Sequence, residues 1–372
     1  ARVENIFTNG FGDLGLLAYV SHNVSDGYQP YRNRDMKNVS EKNRAYEVTT
    51  FGGKAIQSFG DDARLELFYQ YADANLDFAR PVDNHNTTND RVQQIATATF
   101  EQRLNSDFSY FVKGHMNDWD TRYSRVYNNT DGSTRTLNND DYWGFSDWGV
   151  QAEGKAVLPG EHTLVFGSDN QWFKGKDDVL KIDNNQAEAH ALYVQLRPTV
   201  DALPDWHPSI GVRREHLSGG DSATVGMLTS LYDLTDQLKL RGQFGTAYKL
   251  PNAEQLYVNE PGDEMGNPNL KPEKSRNAEL GLDYSSLLDG QPYSLSGTLF
   301  TRRIEDLITL VDAQWVNGDG EIQVRGFEVN GQFQLSDRWQ VAADLTRNLS
   351  ESRKGATINN IPGFFARSRL GY

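Results

Sequence analysis

Period-two alternation, repeated down the whole chain, is the strongest limit on what this sequence can become. In "GFEVNGQFQL", Phe327, Val329, Phe333 and Leu335 share one face with Gly331, while Glu328, Asn330, Gln332 and Gln334 share the other. "AELGLDY" sets Ala278, Leu280, Leu282 and Tyr284 against Glu279, Gly281 and Asp283. "RWQVAADLT" sets Trp339, Val341, Ala343 and Leu345 against Gln340, Ala342, Asp344 and Thr346, and "RLELFYQYA" repeats the pattern from Leu65 to Tyr71. Strand side chains two apart point the same way, so each segment has an apolar and a polar face. Similar segments lie near 11–23, 44–59, 91–104, 108–126, 143–157, 162–174, 187–200, 207–217, 223–232, 237–248, 293–304 and 363–372. The total is about 16 strands, each near the roughly 9–11 residues that cross a bilayer at a tilt.

The connections fall into two sets that take turns. Short ones are "GDD" (60–62), "NSD" (105–107), "LPGE" (158–161), "DALPDW" (201–206), "DLTD" (233–236), "LLDGQP" (287–292) and "SDR" (336–338). Between them come the long stretches 24–43, 74–90, 127–142, 175–186, 249–273, 305–321 and 350–362, with the brief "SGGDS" (218–222) in one long slot. A half-buried soluble sheet has no reason to gather its long loops at one end. An outer-membrane barrel does, with short periplasmic turns and longer extracellular loops. The expected fold class is all-β, an antiparallel transmembrane β-barrel, with 1–372 as one domain or one piece of a domain. The apolar faces would then meet lipid and the polar faces line a wet lumen. Tyr248, Tyr284, Tyr293, Trp339 and Trp172, near strand ends, read as interfacial girdle residues.

Composition agrees. No apolar run approaches the ~18 residues of a membrane helix, a test that strands escape. The chain has no cysteine, which excludes a disulfide framework and a thiolate metal site. Its net charge of -14 argues against nucleic acid as a partner, since phosphate contact needs a basic face. The start "ARVENIFTNG" lacks the charged beginning and apolar core of a signal peptide, so the chain reads as a mature form or a fragment.

Nothing supports catalysis: GxSxG, HExxH, GxGxxG and P-loop patterns are all missing. The histidines at 22, 85, 115, 162, 190, 207 and 216 do not pair at ligand spacing, and read as lumen or loop residues. "DNHNTTND" (83–90) and "NNDDYW" (138–143) offer hard oxygen ligands that suit Ca²⁺, although solvated loops are the plainer account and no metal site is assigned. The loops suggest a binding mouth instead. Loop 24–43 carries Tyr28, Tyr31, Arg32 and Arg34 together with Lys37 and Lys42. Tyr127, Arg135, Tyr142 and Trp143 add to it from 127–143. Basic and aromatic groups together suit an anionic, aromatic ligand, and equally the phosphates of the outer leaflet. The 249–273 stretch is acidic by contrast, with Glu254, Glu260, Asp263 and Glu264.

Two segments carry a family likeness. In "GTAYKLPNAEQLY" a strand ends at Tyr248 before Pro251, and Leu256 and Tyr257 follow. In "GNPNLKPEKSRNAELGLDY", Gly266, Asn267, Pro268, Leu270, Pro272 and Glu273 lead into the next strand. Downstream, "RIEDLITLV" and "GEIQVRGFEVNGQFQLSDRWQVAADLT" surround Arg325, Gly326 and Glu328. These stretches resemble the TonB-dependent outer-membrane receptors, with "GDLGLLAYVSHNVSDGY" and "ARLELFYQYAD" fitting more loosely.

The resemblance implies a barrel of about 22 strands filled by an N-terminal plug. On that pattern a plug and two strands would precede Ala1, and about four strands would follow Tyr372. It implies outer-membrane lipid and lipopolysaccharide as surroundings, and the TonB–ExbB–ExbD system as the energy source. It also makes the recognisable ends of the 248–275 stretch architectural, leaving its centre "VNEPGDEM" free to face ligand or solvent. The commonest family cargo is a ferric siderophore. The spelling "GTAYKLPN…QLY…GNPNL…PEKS" also resembles the vitamin B12 receptor, so cobalamin stands beside it and haem ranks third. A complete passive porin of about 16 strands is the alternative of another class.

Overall fold

The computed structural model describes residues 2–31, 36–40, 43–218, 222–318, 320–352 and 362–372. Each wall strand pairs antiparallel with the next in sequence. The series opens with β1 (Arg2–Asn9), β2 (Gly12–Ser25), β3 (Tyr46–Phe59), β4 (Ala63–Asp77), β5 (Asn84–Arg103), β6 (Phe108–Asn128) and β7 (Thr134–Leu158). It continues with β8 (His162–Asp177), β9 (Ile182–Arg197), β10 (Trp206–Leu217), β11 (Ser222–Asp233) and β12 (Leu238–Lys249). A helix α1 (Ala253–Tyr257) and two short strands, β13 (Asn259–Glu260) and β14 (Glu264–Met265), interrupt the wall. It resumes with β15 (Glu273–Leu288) and β16 (Gln291–Glu305). Another pair, β17 (Ile308–Val311) and β18 (Gln314–Asn317), stands apart before β19 (Ile322–Gln334), β20 (Gln340–Ser352) and β21 (Phe364–Gly371). The wall sheet has 17 strands, one more than the alternation suggested, because Arg2–Asn9 is itself a strand paired with β2. Among the described residues β1 pairs only with β2 and β21 only with β20, so the barrel is not closed. No described helix is long and apolar enough to cross a membrane, which says nothing of strands.

Register confirms the two faces. Leu67 of β4 lies opposite Ala98, Ala98 opposite Gly114, and Gly114 opposite Val150, all on the outside. On the inside Tyr19 donates to Gln70 at 2.7 Å, Lys54 pairs with Glu66 at 2.7 Å, and Tyr193 donates to Glu153 at 2.9 Å. Further round, Arg213 reaches Asp169 and Glu215, and Arg241 reaches Asp283 and Thr298. An exposed apolar exterior over a paired polar interior is the inverse of a soluble protein and fits a wall with lipid outside.

Aromatics ring the short-turn end of that exterior. Phe11 meets Phe59, Phe100 and Phe108 meet Tyr110, and Tyr293 lies between Tyr284 and Phe333. Trp339 meets Tyr372 with centroids 4.8 Å apart. Higher up, Trp148 and Trp172 stack at 4.0 Å with His190 edge-on to Trp172. Tyr284, Tyr293, Trp339 and Trp172 thus take outward positions, but Tyr248 does not. The β11–β12 ladder stops at Met227 and Gly245, and above it Tyr248 turns to hydrogen-bond Glu215. At the short end, Asp289 and Gly290 both have positive φ, 52° and 79°, the two-residue turn that suits the twist of a hairpin.

The long end departs from expectation. Stretches 74–90, 127–142 and 175–186 are mostly paired strand, not loop: β5, β6 and β7 run 20, 21 and 25 residues. At ~3.3 Å per residue these exceed any membrane crossing. They stand above it as hairpins, closed by short tips at 78–83, 129–133 and 178–181.

Candidate functional site

Parity carries the interior face up these tall hairpins. Trp119 lies opposite Phe145, Thr121 opposite both Trp143 and Arg91, and Asn89 opposite Tyr123. One step higher Arg125 lies between Thr87 and Asn138. The Arg91 guanidinium sits 4.6 Å from the Trp119 ring centre and 5.6 Å from that of Trp143, and the two indoles meet edge-on at 5.1 Å. Arg80, from the tip between β4 and β5, donates to the Tyr123 hydroxyl at 2.8 Å.

This face is short of partners. Eleven buried side-chain polar atoms lack a hydrogen-bond partner among the described residues. Eight are here: the Nε atoms of Arg80, Arg91 and Arg125, Trp119 Nε1, Thr121 Oγ1, and the Oδ1 atoms of Asn84, Asn89 and Asn138. Asn84 and Thr121 are wholly buried. Each such atom costs about 1–3 kcal/mol unless something outside the chain bonds it. Among the described residues none of the three arginines joins an ion pair, although other interior arginines do. The result is a concentrated positive face with free hydrogen-bonding capacity.

Beside it opens a cleft of about 520 Å³. Trp119, Trp143, Phe145 and Phe173 form one wall, Leu180 and Ile182 the floor of the β8–β9 tip, and Asn252, Glu254 and Tyr257 of the α1 segment the other wall. Helix α1 has a capping box: Asn252 Oδ1 accepts from Gln255 N at 2.7 Å, and Gln255 Oε1 accepts from Asn252 N at 2.9 Å. Asn259 N then donates to Leu180 O at 3.2 Å, tying the segment across the mouth. The α1 wall is acidic. Burial, then Glu264 and Asp177, push the Glu254 carboxyl above the usual range. Burial also raises Asp177, against the backbone N–H groups of Leu180 and Val179 that bond it.

The residues singled out from sequence divide accordingly. Trp143 faces the cleft. Tyr142, its neighbour, points the opposite way, where burial and a 2.5 Å bond to Asp120 push its phenol up to about 12. Tyr127 lies under both Arg125 and Arg135, at 5.9 and 5.8 Å. Tyr31 accepts from Arg44 at 3.2 Å, and Tyr28 is exposed with its carbonyl bonded by Arg44 N. Arg32, Arg34 and Lys42 lie outside the described residues. Arg80, Arg91, Trp119, Arg125, Phe145 and Phe173 are additions; continuing the parity of "RVQQIATATF" upward would have placed Arg91 inside. Among the described residues no group of three His, Asp or Glu is set to hold a metal.

The family-motif residues bind one outer loop to the next. Gly266 N donates to Val258 O at 2.7 Å, Asn267 N to Gln255 O at 2.9 Å, and Asn267 Nδ2 to Trp315 O at 3.0 Å. A Cβ on Gly266 would meet Leu256 and Tyr257 backbone atoms at 2.5–2.6 Å, so no larger residue fits. Leu270 and Pro272 are buried, and Pro251 and Pro268 flank the fold. Glu273 accepts from Ile308 N at 3.0 Å and pairs with Lys249 at 3.5 Å. In the second motif Arg325 pairs with Glu351 at 3.4 Å, a Cβ on Gly326 would strike Arg347 O, and Glu328 stands opposite Thr298 and Thr346 on the interior. The centre "VNEPGDEM" is not free as expected: Val258 is 2% exposed, Glu260 pairs with Glu264 and Met265 pairs with Gln314, which leaves the 261–263 turn at the tip.

Residues 14–372 match the family model "TonB dependent receptor-like, beta-barrel". The chain belongs to the TonB-dependent receptors. It is an outer-membrane protein of Gram-negative type. The siderophore receptor PirA from Acinetobacter baumannii superposes with a TM-score of 0.82 at 15% identity, over 99% of this receptor chain and 62% of that one. The ferric enterobactin receptor PfeA from Pseudomonas aeruginosa gives 0.78 at 18% identity, over 99% and 62%. In sequence, the vitamin B12 transporter BtuB of Photobacterium profundum is 28% identical over 183 residues, 46% of this chain and 28% of that protein. The receptor chain thus spans less than two thirds of the length of these relatives.

Proposed function

We propose that this receptor takes up a scarce, bulky nutrient from outside the cell, and that the nutrient is a ferric siderophore of anionic, aromatic type. Energy would come from TonB–ExbB–ExbD, with outer-membrane lipid and lipopolysaccharide around the wall. The observation that carries the reading is the face formed by Arg80, Arg91 and Arg125, free of described carboxylate partners and backed by Trp119 and Trp143. Guanidinium groups with spare N–H donors bind anionic oxygens, and indole faces receive aromatic rings. Family membership sets aside the passive-porin reading. Cobalamin is the second reading, supported by the B12 transporters among the sequence relatives. Its uncharged amide periphery gives the three arginines less to do.

Radiolabelled uptake separates the two. A strain lacking this receptor should lose import of an iron–catecholate complex and keep import of cobalamin. Loss of cobalamin import with iron import intact would overturn the siderophore reading.

A further inference from the structure

The wall ladder breaks between β11 and β12. It ends at Met227 and Gly245, although β11 runs on up to Ser222 and β12 to Lys249. Above the break, residues 222–226 pair in the ladder with β10 alone, and 246–249 with β15 alone. Thr246 Oγ1 patches the first open rung, accepting from Gly226 N at 2.9 Å and donating to Gly226 O at 3.5 Å. Two residues on, Tyr248 turns in to Glu215 and withdraws its side chain from the outer face. Lipid tails offer no hydrogen bonds, so an open strand edge at this height calls for a polar group from outside the chain. Beside the break, on the outer face, lies a groove of about 650 Å³. Val194, Ile210, Val212, Leu228 and Phe244 wall it, all of them exposed, and Gly226 has no side chain to fill it. Arg214 is the next outward residue above Val212, opposite Leu192 and Thr224. It donates to Thr224 Oγ1 at 3.3 Å and joins no carboxylate among the described residues. Across the break Arg276 stands opposite Thr246 and comes no nearer than 4.0 Å to Glu305. From Trp206 up to Arg214, and from Tyr284 up to Arg276, is the same climb, about 26 Å of strand. Allowing for strand tilt, both arginines stand near the top of an apolar band about 25 Å tall.

We propose that the break between β11 and β12 is a specific site for one anionic, phosphate-bearing lipid of the outer leaflet. An acyl chain lies in the groove over Gly226. The phosphate sits above it between Arg214 and Arg276, whose strands are three ladder spacings apart, about 14 Å. Guanidinium groups at the rim of the apolar band snorkel toward such a head and bond its oxygens. The remaining head oxygens and hydroxyls meet the open edges of β11 and β12. The site lies on the outer face and is independent of which nutrient the receptor carries.

The test is native mass spectrometry of the full-length receptor in detergent, titrated with dimyristoyl phosphatidylglycerol or with dimyristoyl phosphatidylcholine. The two lipids share their chains and differ in net head charge. The first should bind as a single tight copy, about tenfold more tightly than the second. The double variant Arg214→Gln, Arg276→Gln should bring that ratio to about one, and the pair Arg214→Lys, Arg276→Lys, which keeps the charge, should retain most of it. Gly226→Leu fills the groove and should weaken both lipids about fivefold or more while leaving their ratio in place. Inorganic phosphate at millimolar concentration should not displace the lipid. Equal binding of the two lipids by the wild type overturns the proposal, as does a preference that survives in the glutamine pair. Full binding by a Gly226→Leu receptor that keeps its heat-modifiable migration also overturns it, and displacement by inorganic phosphate would make this a site for free anions instead.

Discussion

Asn267 and Trp315, 48 positions apart, are joined by a 3.0 Å hydrogen bond from the Asn267 amide nitrogen to the Trp315 carbonyl. Gln314 adds bonds to the carbonyls of Met265 and Gly266, and Asn317 clasps Lys271 through its N–H and its carbonyl. Two outer loops are thus one unit. Asn267→Ala removes this bond and the Asn269 N–H acceptor, and should cost the clasp about 1–3 kcal/mol. Limited proteolysis should then cut within 250–272 faster than in the wild type, while the barrel keeps its heat-modifiable migration. Unchanged cleavage would show that the clasp does not depend on Asn267.

The arginine face makes an opposed pair of predictions. Arg91 and Arg125 carry like charge with buried, unpartnered nitrogens. Replacing both with leucine should leave thermal stability equal or higher, because burial of an unsatisfied charge is removed. Affinity for a ferric catecholate should fall by 10-fold or more, about 1.5–3 kcal/mol, the worth of a charged hydrogen bond. A matched loss of stability and affinity would mark these residues as structural.

Glu254 predicts a pH dependence. Its carboxyl is held above the ordinary value, chiefly by burial and then by Glu264 and Asp177. A raised folded value favours the protonated form, so its contribution is fully present below the ordinary carboxylate range and is lost as pH rises through the folded value. Protease protection of the 250–272 loop should therefore weaken from acid toward neutral pH. In Glu254→Gln the protection should be flat across that interval, and a dependence that persists would assign it to another group.

The two wall faces can be compared on one strand pair. Leu280, two outward positions above the Tyr284 girdle, is 54% exposed, whereas Gln243 is on the interior opposite Glu279. Leu280→Arg should destabilise the barrel in liposomes by about 2–4 kcal/mol, as for a cation near the lipid midplane. Gln243→Arg gains a carboxylate partner and should cost less than about 1 kcal/mol. Urea unfolding of both variants in lipid measures the difference, and equal costs would contradict the assignment of faces.

The wall was legible because lipid on one side and water on the other impose alternation on every strand between them. Above the bilayer both faces are wet. "NTTND" and "NNDD" lose the alternation there and look like loop, although they are paired strand in β5 and β7. For the same reason the site was only half visible. Trp143 stood out by composition, but Arg91, Trp119 and Phe173 lie on three other strands, and only register brings them together. Tyr248 looked like a girdle residue by position, and the break in the β11–β12 ladder reversed it. The family motif announced a fold, but its partners in 314–317 are too far along the chain for a local reading to find.

The tall hairpins have a mechanical consequence. Arg91 and Arg125 are mounted on strands continuous with the wall, so their backbone can shift only if ladder hydrogen bonds break. Across the cleft, α1 hangs on a 23-residue connection between β12 and β15, held by side-chain caps and a few cross-loop bonds. An arriving ligand therefore meets an anvil on one side and a jaw on the other, and any tightening around it must come from the jaw.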